Sequence, residues 1–287
     1  MIPLPTGLVL RVIIGAVLAG FTCSMMGTFV VQMDISSIGF SMAHAAFAGA
    51  ALGLLLSVEP LLTAVGFAVL VAILLGPVSE KARLSPGVIT GVSFSVTMAL
   101  GFIFINLHPG PAETGAALSI LWGSVFALTW HDLILLFLLS IGIVIIIGLF
   151  KKEFMAIIFD RKMAKASGIS TRPFYFTILF LTGLTVAFSL KFVGGLLVYA
   201  LIVNTAASAN QYTYDIKEVF ILSPIIGVIC TLLGVWISLQ FGFPVGTSIV
   251  IVTAVVFVFS VVFSKKRKKG KGLLDISGRS GEYGNRK

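Results

Sequence analysis

EFMAIIFDRKMAKASGISTRPF, Glu153 to Phe174, is the one long hydrophilic stretch lying between apolar runs in this chain. Its reading decides the fold. Asp160 stands where a helix N-cap would, a basic first turn follows, Gly168 is a stop signal, and Pro173 opens the next apolar run. The stretch therefore predicts a short helix in a loop, with long apolar segments on both sides. Lys151, Lys152, Arg161, Lys162, Lys165 and Arg172 crowd this region. Such a concentration of cations marks the cytoplasmic side of a membrane protein.

The rest of the chain agrees. It has 287 residues, of which 58% are hydrophobic and only 11% charged, and a mean hydropathy of +1.11. Soluble domains carry roughly 25% charged residues. Nine apolar runs read as spans, at about 7–31, 39–57, 60–78, 87–107, 132–150, 174–190, 193–209, 219–240 and 244–263. They must be helical, because lipid-exposed backbone has to satisfy its own hydrogen bonds. The expected fold is an all-α integral membrane protein. It has about nine transmembrane helices, a further re-entrant or interfacial helix and a short cytoplasmic helix. The membrane domain covers 1–263, with its cytoplasmic loop at 151–173; 264–287 is a basic, disordered tail.

Lys81 and Arg83 mark a second cytoplasmic loop, and Lys265 to Lys271 mark the tail. The loop His108 to Gly115 has neither Lys nor Arg. These positions agree if the chain starts outside, crosses nine times and ends inside. Ala116 to Trp130 (AALSILWGSVFALTW) is apolar but too short for a comfortable crossing, so it reads as the re-entrant or interfacial helix; the alternative is a tilted true span, which would invert everything before it. The formal charge of +9 is concentrated in the tail, where nine Lys and Arg oppose only Asp275 and Glu282. That pattern fits anionic lipid headgroups rather than nucleic acid. Cys23 and Cys230 both fall within apolar runs, which argues against a disulfide framework.

Two stretches carry polar groups into the membrane. GFSMAHAAFAGAALG, Gly39 to Gly53, holds His44 among small and apolar residues. On one helix His44 shares its face with Ser37, Phe40, Ser41, Phe47 and Ala48. That face offers hydroxyls and rings but no carboxylate. His44 could bind a passing metal with help from another helix, meet an organic solute beside Phe40, or donate to a backbone carbonyl. Asn204 and Thr205, with Ser208 near the same face, could line a path or bond between helices. Arg11, Glu59, Asp132 and Lys191 lie at span ends and are expected to snorkel.

Phe159, Asp160, Ala164, Gly168 and Ile169 form an FD-x-x-x-A-x-x-x-GI pattern. It resembles the cytoplasmic coupling segment of the ABC metal-ion permeases, the membrane subunits of bacterial zinc and manganese importers. VGGLLVYALIVNTAASA (Val193 to Ala209), GTFVV (Gly27 to Val31), G-x-x-x-x-HA (Gly39 to Ala45), LWGS (Leu121 to Ser124) and the Pro-x-Gly at Pro244 are similar to further motifs of that family, in family order. The resemblance implies a plasma-membrane permease that works as a dimer. A separate ABC ATPase subunit holding the ATP would grip the coupling segment, and an extracytoplasmic binding protein would deliver zinc or manganese. It implies metal at His44, with Phe40, Asn204 and Thr205 beside the path.

Four positions depart from the pattern: Phe40 stands in place of the Asp that pairs with the histidine, Thr205 in place of a Pro, and Met33 and Asp34 in place of two basic residues. They bear on the cargo, leaving a non-metal solute or a metal chelate as the alternative. No phosphate-binding G-x-x-x-x-G-K-[ST] is present, so this chain is no ATPase of that type. No HExxH or GxSxG suggests an enzyme. A gradient-driven carrier would be expected to show paired mid-membrane acids and inverted repeats, and neither is evident.

Overall fold

The computed structural model describes residues 6–82, 84, 86–107, 123, 128–195 and 197–264. The tail from 265, Arg83, and nearly all of the 108–127 segment, with His108, Glu113 and the expected re-entrant helix, lie outside the described residues. Eleven helices are present among those described: α1 (Thr6–Gln32), α2 (Ser36–Leu55), α3 (Pro60–Ala82), α4 (Pro86–Leu107), α5 (Trp130–Leu149), α6 (Lys151–Phe159), α7 (Arg161–Ala166), α8 (Thr171–Val193), α9 (Val198–Tyr212), α10 (Ile216–Phe241) and α11 (Val245–Val262). The fold is all-helical there, as expected.

Each of the nine apolar runs is a helix, but they are not equivalent. Seven helices are long and apolar enough to cross a bilayer: α1, α2, α4, α5, α8, α10 and α11. In α3 the apolar part is the shorter stretch Pro60–Leu75. Helix α9 has only 15 residues, against the roughly 20 that a bilayer requires. The run expected at 193–209 starts late because α8 continues to Val193, and Gly194 then breaks the chain at φ 96°.

Burial sorts the helices. In α2 and α8, 72% and 67% of the most apolar window is buried, against 22% in α4 and α5. The first pair therefore forms the interior and the second lies at the periphery of the bundle. Helix α2 packs chiefly on α3 and α4, while α1 packs on α10 and α9. Small residues permit these contacts. A Cβ on Gly20 of α1 or on Gly227 of α10 would strike the other's backbone, and one on Gly49 of α2 would strike the Thr63 carbonyl of α3. With no water to drive association inside a bilayer, such close approach supplies the dispersion energy.

Polar atoms join the helices at the same places. Ser223 Oγ donates to the Ser24 carbonyl at 2.8 Å and Thr231 Oγ1 to the Ala16 carbonyl at 2.8 Å, both from α10 to α1. Thr22 and Ser140 share a hydrogen bond between α1 and α5. Both cysteines are free thiols, and Cys23 donates to Ser189 on α8. The ends are tied as well. Asp132 and Lys191 form an ion pair at 2.8 Å between α5 and α8, instead of snorkelling apart. Asp132 also closes a capping box with Thr129.

Candidate functional site

Two places in the fold gather the residues singled out by sequence. The first is in the membrane, where α2 meets α4 and α9. Ala43, Ala45, Ala46 and Ala48 flank His44 and let α2 sit deep in the bundle. His44 itself is only 4% exposed. Its Nδ1 lies 2.8 Å from the Phe40 carbonyl oxygen, one turn back. A carbonyl can only accept, so Nδ1 carries the proton and Nε2 of the neutral ring keeps its lone pair. The backbone bond thus does not exhaust the histidine. It fixes the tautomer and orients the second nitrogen, as backbone carbonyls do for ligating histidines.

Two rings touch this imidazole. Phe40 lies tilted against it at 4.4 Å between centroids, and Phe94 of α4 meets it edge-on at 4.6 Å. Tyr199 of α9 packs on Phe40 at 5.2 Å and donates its hydroxyl to the Ser36 carbonyl at 2.8 Å. Ser41, one turn from His44 on the same face, is fully buried, and its Oγ has no hydrogen-bond partner among the described residues. Leaving such a hydroxyl unpaired costs about 1–3 kcal/mol. One face of α2 therefore carries an unspent nitrogen, beside two rings, and an unspent buried oxygen. No group of three or more His, Cys, Asp or Glu side chains that could close a metal site exists among the described residues.

Sequence reasoning had placed Phe40 beside His44, and the structure does the same. Phe94 and Tyr199 were not singled out. Tyr199 carried a signal, since a hydroxyl inside an apolar run must find a partner. Phe94 carried none, being one of 24 phenylalanines. Asn204 and Thr205 spend their polar groups elsewhere. Asn204 Nδ2 donates to Thr253 Oγ1 on α11 at 3.2 Å, and Thr205 Oγ1 donates to the Leu201 carbonyl of its own helix at 2.8 Å. Ser208 bonds within its helix too, to the Asn204 carbonyl.

The second place is the α6–α7 segment. Helix α6, read from the sequence only as loop, buries Phe154, Ile157 and Ile158 and leaves its charged residues outside. Phe154 packs edge-on against Phe29 of α1 and Phe174 of α8, which anchors the segment to the bundle. The chain breaks at Asp160, whose carboxylate accepts from the backbone N–H groups of Lys162 at 2.6 Å and Met163 at 3.0 Å. Those two bonds hold the Asp160 carboxyl below the usual carboxylate range, because they favour the charged form. Ala164 is the buried residue of α7, at 3% exposed. Gly168 turns the chain at φ +87°, where an L side chain is strained, and the Ile169 N–H returns to the Ala164 carbonyl.

What projects from this segment is unusual for a membrane loop. Phe159 is 81% exposed and Met163 63%. Beside them Arg161, Lys162, Lys165 and Arg172 line an open recess of about 910 Å³. Arg161 is held over the Tyr175 ring at 4.3 Å. A capped loop presenting an exposed aromatic and a methionine next to arginines has features of a protein-binding surface.

A family model described as the ABC 3 transport family matches residues 6–264. The manganese transport system membrane protein MntC of Listeria innocua is 28% identical over 262 residues, covering 91% of this chain and 92% of that protein. The manganese import system permease protein ScaB of Streptococcus gordonii is 25% identical over 256 residues, covering 89% and 91%. Among solved structures, PsaBC from Streptococcus pneumoniae in complex with Fab superposes with a TM-score of 0.83 at 25% identity, covering 91% of this chain and 93% of that one.

Proposed function

The chain belongs to the ABC 3 transport family, and on that premise we propose that it is the permease subunit of a metal-importing ABC transporter, with manganese the first candidate cargo. It is a multi-pass protein of the bacterial plasma membrane. The match to manganese permeases over nearly the full length of both chains carries this reading. The local geometry supports it. Helix α7 is a capped, anchored lever that projects from the bundle, and a separate ATPase subunit grips it. Phe159, Asp160, Gly168 and Ile169 form that contact, while the buried Ala164 seats α7 on the bundle. Two copies line the path, and an extracytoplasmic binding protein feeds it. The chain crosses nine times, with α3 and α9 completing the count, and its cationic α6–α7 end lies in the cytoplasm.

Within the path His44 Nε2 offers one nitrogen ligand and Ser41 a hydroxyl, while Asn204 and Thr205 stand beside the path rather than at the metal. Manganese accepts N and O donors, but one imidazole is a weak site. The remaining ligands are carried by the cargo itself or by the second copy. A second reading follows from Phe40. Phe40 and Phe94 against a single imidazole, with Tyr199 behind Phe40, suit a metal chelate better than a bare dication, and zinc is the alternative ion.

The test is transport by the chain reconstituted with its ATPase and binding protein, against manganese, zinc and chelated metal. ATP-dependent manganese uptake is expected, together with loss of the co-purified ATPase when Ala164 to Gly168 is replaced by an unrelated loop. Uptake of chelate alone would replace the cargo. Uptake by the isolated chain with an ion gradient would overturn the importer reading.

A further inference from the structure

On the bilayer-facing side, α1 and α5 leave a furrow between them. Ile13, Ile14, Val17 and Leu18 form one wall, and Trp130, Leu133, Ile134 and Phe137 the other, around a cavity of about 390 Å³. The lining is apolar throughout. Ile13, Val17, Trp130, Ile134 and Phe137 are well exposed, so nothing in the chain among the described residues covers it. The furrow begins at the N-terminus of α5 and runs about two turns down that helix, roughly 10 Å at 1.5 Å per residue. That is a good part of one leaflet of a hydrocarbon core about 30 Å thick.

The end of the furrow is polar. Arg11 precedes Ile14 and Leu18 by three and seven residues, which puts it on their side of α1. It is half-buried, with Nη1 donating to the Leu128 carbonyl at 3.0 Å and Nε to the Gly7 carbonyl at 3.3 Å. Those bonds seat the guanidinium beside the start of α5 and leave N–H groups over. Its charge forms no ion pair among the described residues, and Asp132, the acid in the first turn of α5, is paired with Lys191. Trp130 stands half-exposed at the same level, where indole rings favour the membrane–water boundary.

We propose that the α1–α5 furrow is a binding site for one anionic glycerophospholipid, its acyl chain between Ile14 and Phe137 and its phosphate on Arg11. Charge complementarity selects this occupant. A neutral helix would fill the furrow but leave the guanidinium uncompensated at the bilayer edge. A planar guanidinium with spare donors matches phosphate oxygens, and the furrow below it accepts a chain too apolar for any soluble anion. The lipid clamps α1 to α5 at the end opposite α7. On the orientation given above this is the outer leaflet, although the binding itself does not depend on which side that end faces.

The test uses the full chain in mild detergent, delipidated and titrated with phosphatidylglycerol or phosphatidylcholine, with bound lipid counted by native mass spectrometry. One phosphatidylglycerol per chain is expected to outlast the annular population. Arg11→Gln keeps a donor for the Leu128 carbonyl but removes the charge. It should lower the preference for phosphatidylglycerol over phosphatidylcholine about tenfold, the worth of one charge-assisted hydrogen bond. Ile14→Trp fills the furrow and should lower retention of both lipids. Lys152→Gln, at the other end of α5, should change neither. Equal retention of the two lipids by the unaltered chain, or an unchanged preference in Arg11→Gln, would overturn the proposal, as would displacement of the bound lipid by glycerol phosphate. None of these readouts requires transport, so failure of the importer reading would leave them interpretable.

Discussion

The His44 cluster and the α6–α7 segment solve opposite problems. Around His44 every backbone group is helical and the side chains are sealed among rings, yet Nε2 and the Ser41 hydroxyl are left without a protein partner among the described residues. In α7 the reverse holds. Asp160 answers the open N–H groups of the first turn, Gly168 closes the last, and the unspent chemistry is on the outside, in Phe159, Met163 and four cations. A site that passes a solute must hold polar groups in reserve in an environment that penalises them. A surface that grips a partner must be finished internally before it meets one. On the proposed function, the contrast would separate residues that touch cargo from residues that transmit force.

Three substitutions break or sharpen that division. The largest effect is expected from His44→Ala. Manganese uptake should fall by about 100-fold or more, beyond the roughly 10–100-fold cost of losing a group that merely orients a ligand. ATPase association, followed by co-purification, should be unchanged. Retained uptake would make the histidine a structural donor to the Phe40 carbonyl and nothing else.

Gly168→Val should do the converse. A β-branched side chain at φ +87° costs about 1–2 kcal/mol, so the turn after α7 opens and the ATPase dissociates roughly tenfold more readily. Thermal stability of the bundle should stay within a few degrees, because an added Cβ at Gly168 meets no neighbour. A fall in bundle stability as large as the loss of ATPase would mean that α7 belongs to the core rather than to a partner surface.

The smallest effect belongs to Asp160. Its lowered carboxyl means that the folded segment favours the ionised form. The stabilisation is fully present above the ordinary carboxylate value of 3.8 and is lost as pH falls through the lowered one. Protection of the Lys162 and Met163 amides, measured against the unstructured exchange rate at the same pH, should therefore fall in acid. Asp160→Asn keeps a capping oxygen, so it should remove the acid dependence while changing protection at neutral pH by no more than about threefold. Equal acid dependence in both proteins would assign the effect to another group.

Some of this was legible in the residues alone. Asp160 and Gly168 could be read as the ends of α7 because capping is local chemistry: the N-cap carboxylate reaches only the next turn, and glycine alone turns left-handed without strain. The seven long spans were legible for a similar reason, since apolar runs of that length have no other stable place. Helix α6 was missed. Its amphipathic pattern occupies only nine residues, and its buried face has meaning only once Phe29 and Phe174 are placed against it.

The candidate site was half visible. Phe40 and His44 are one helical turn apart, so their contact followed from spacing. The Asp132–Lys191 pair joins residues 59 positions apart. Tyr199 reaches Ser36 across 163. Asn204, which in sequence is an equally good candidate for the path, turns to Thr253 instead.

What the chain's order of residues determined by itself was therefore everything governed by neighbours within a turn or by length against the bilayer: helices, caps, an inward histidine and a cationic loop. Which rings close on that histidine, which polar groups pair off, and which are left for cargo or lipid was decided only when α1, α4, α8 and α9 met. Those contacts are set by the shapes of packed helix surfaces, and a surface exists only after the helices have come together.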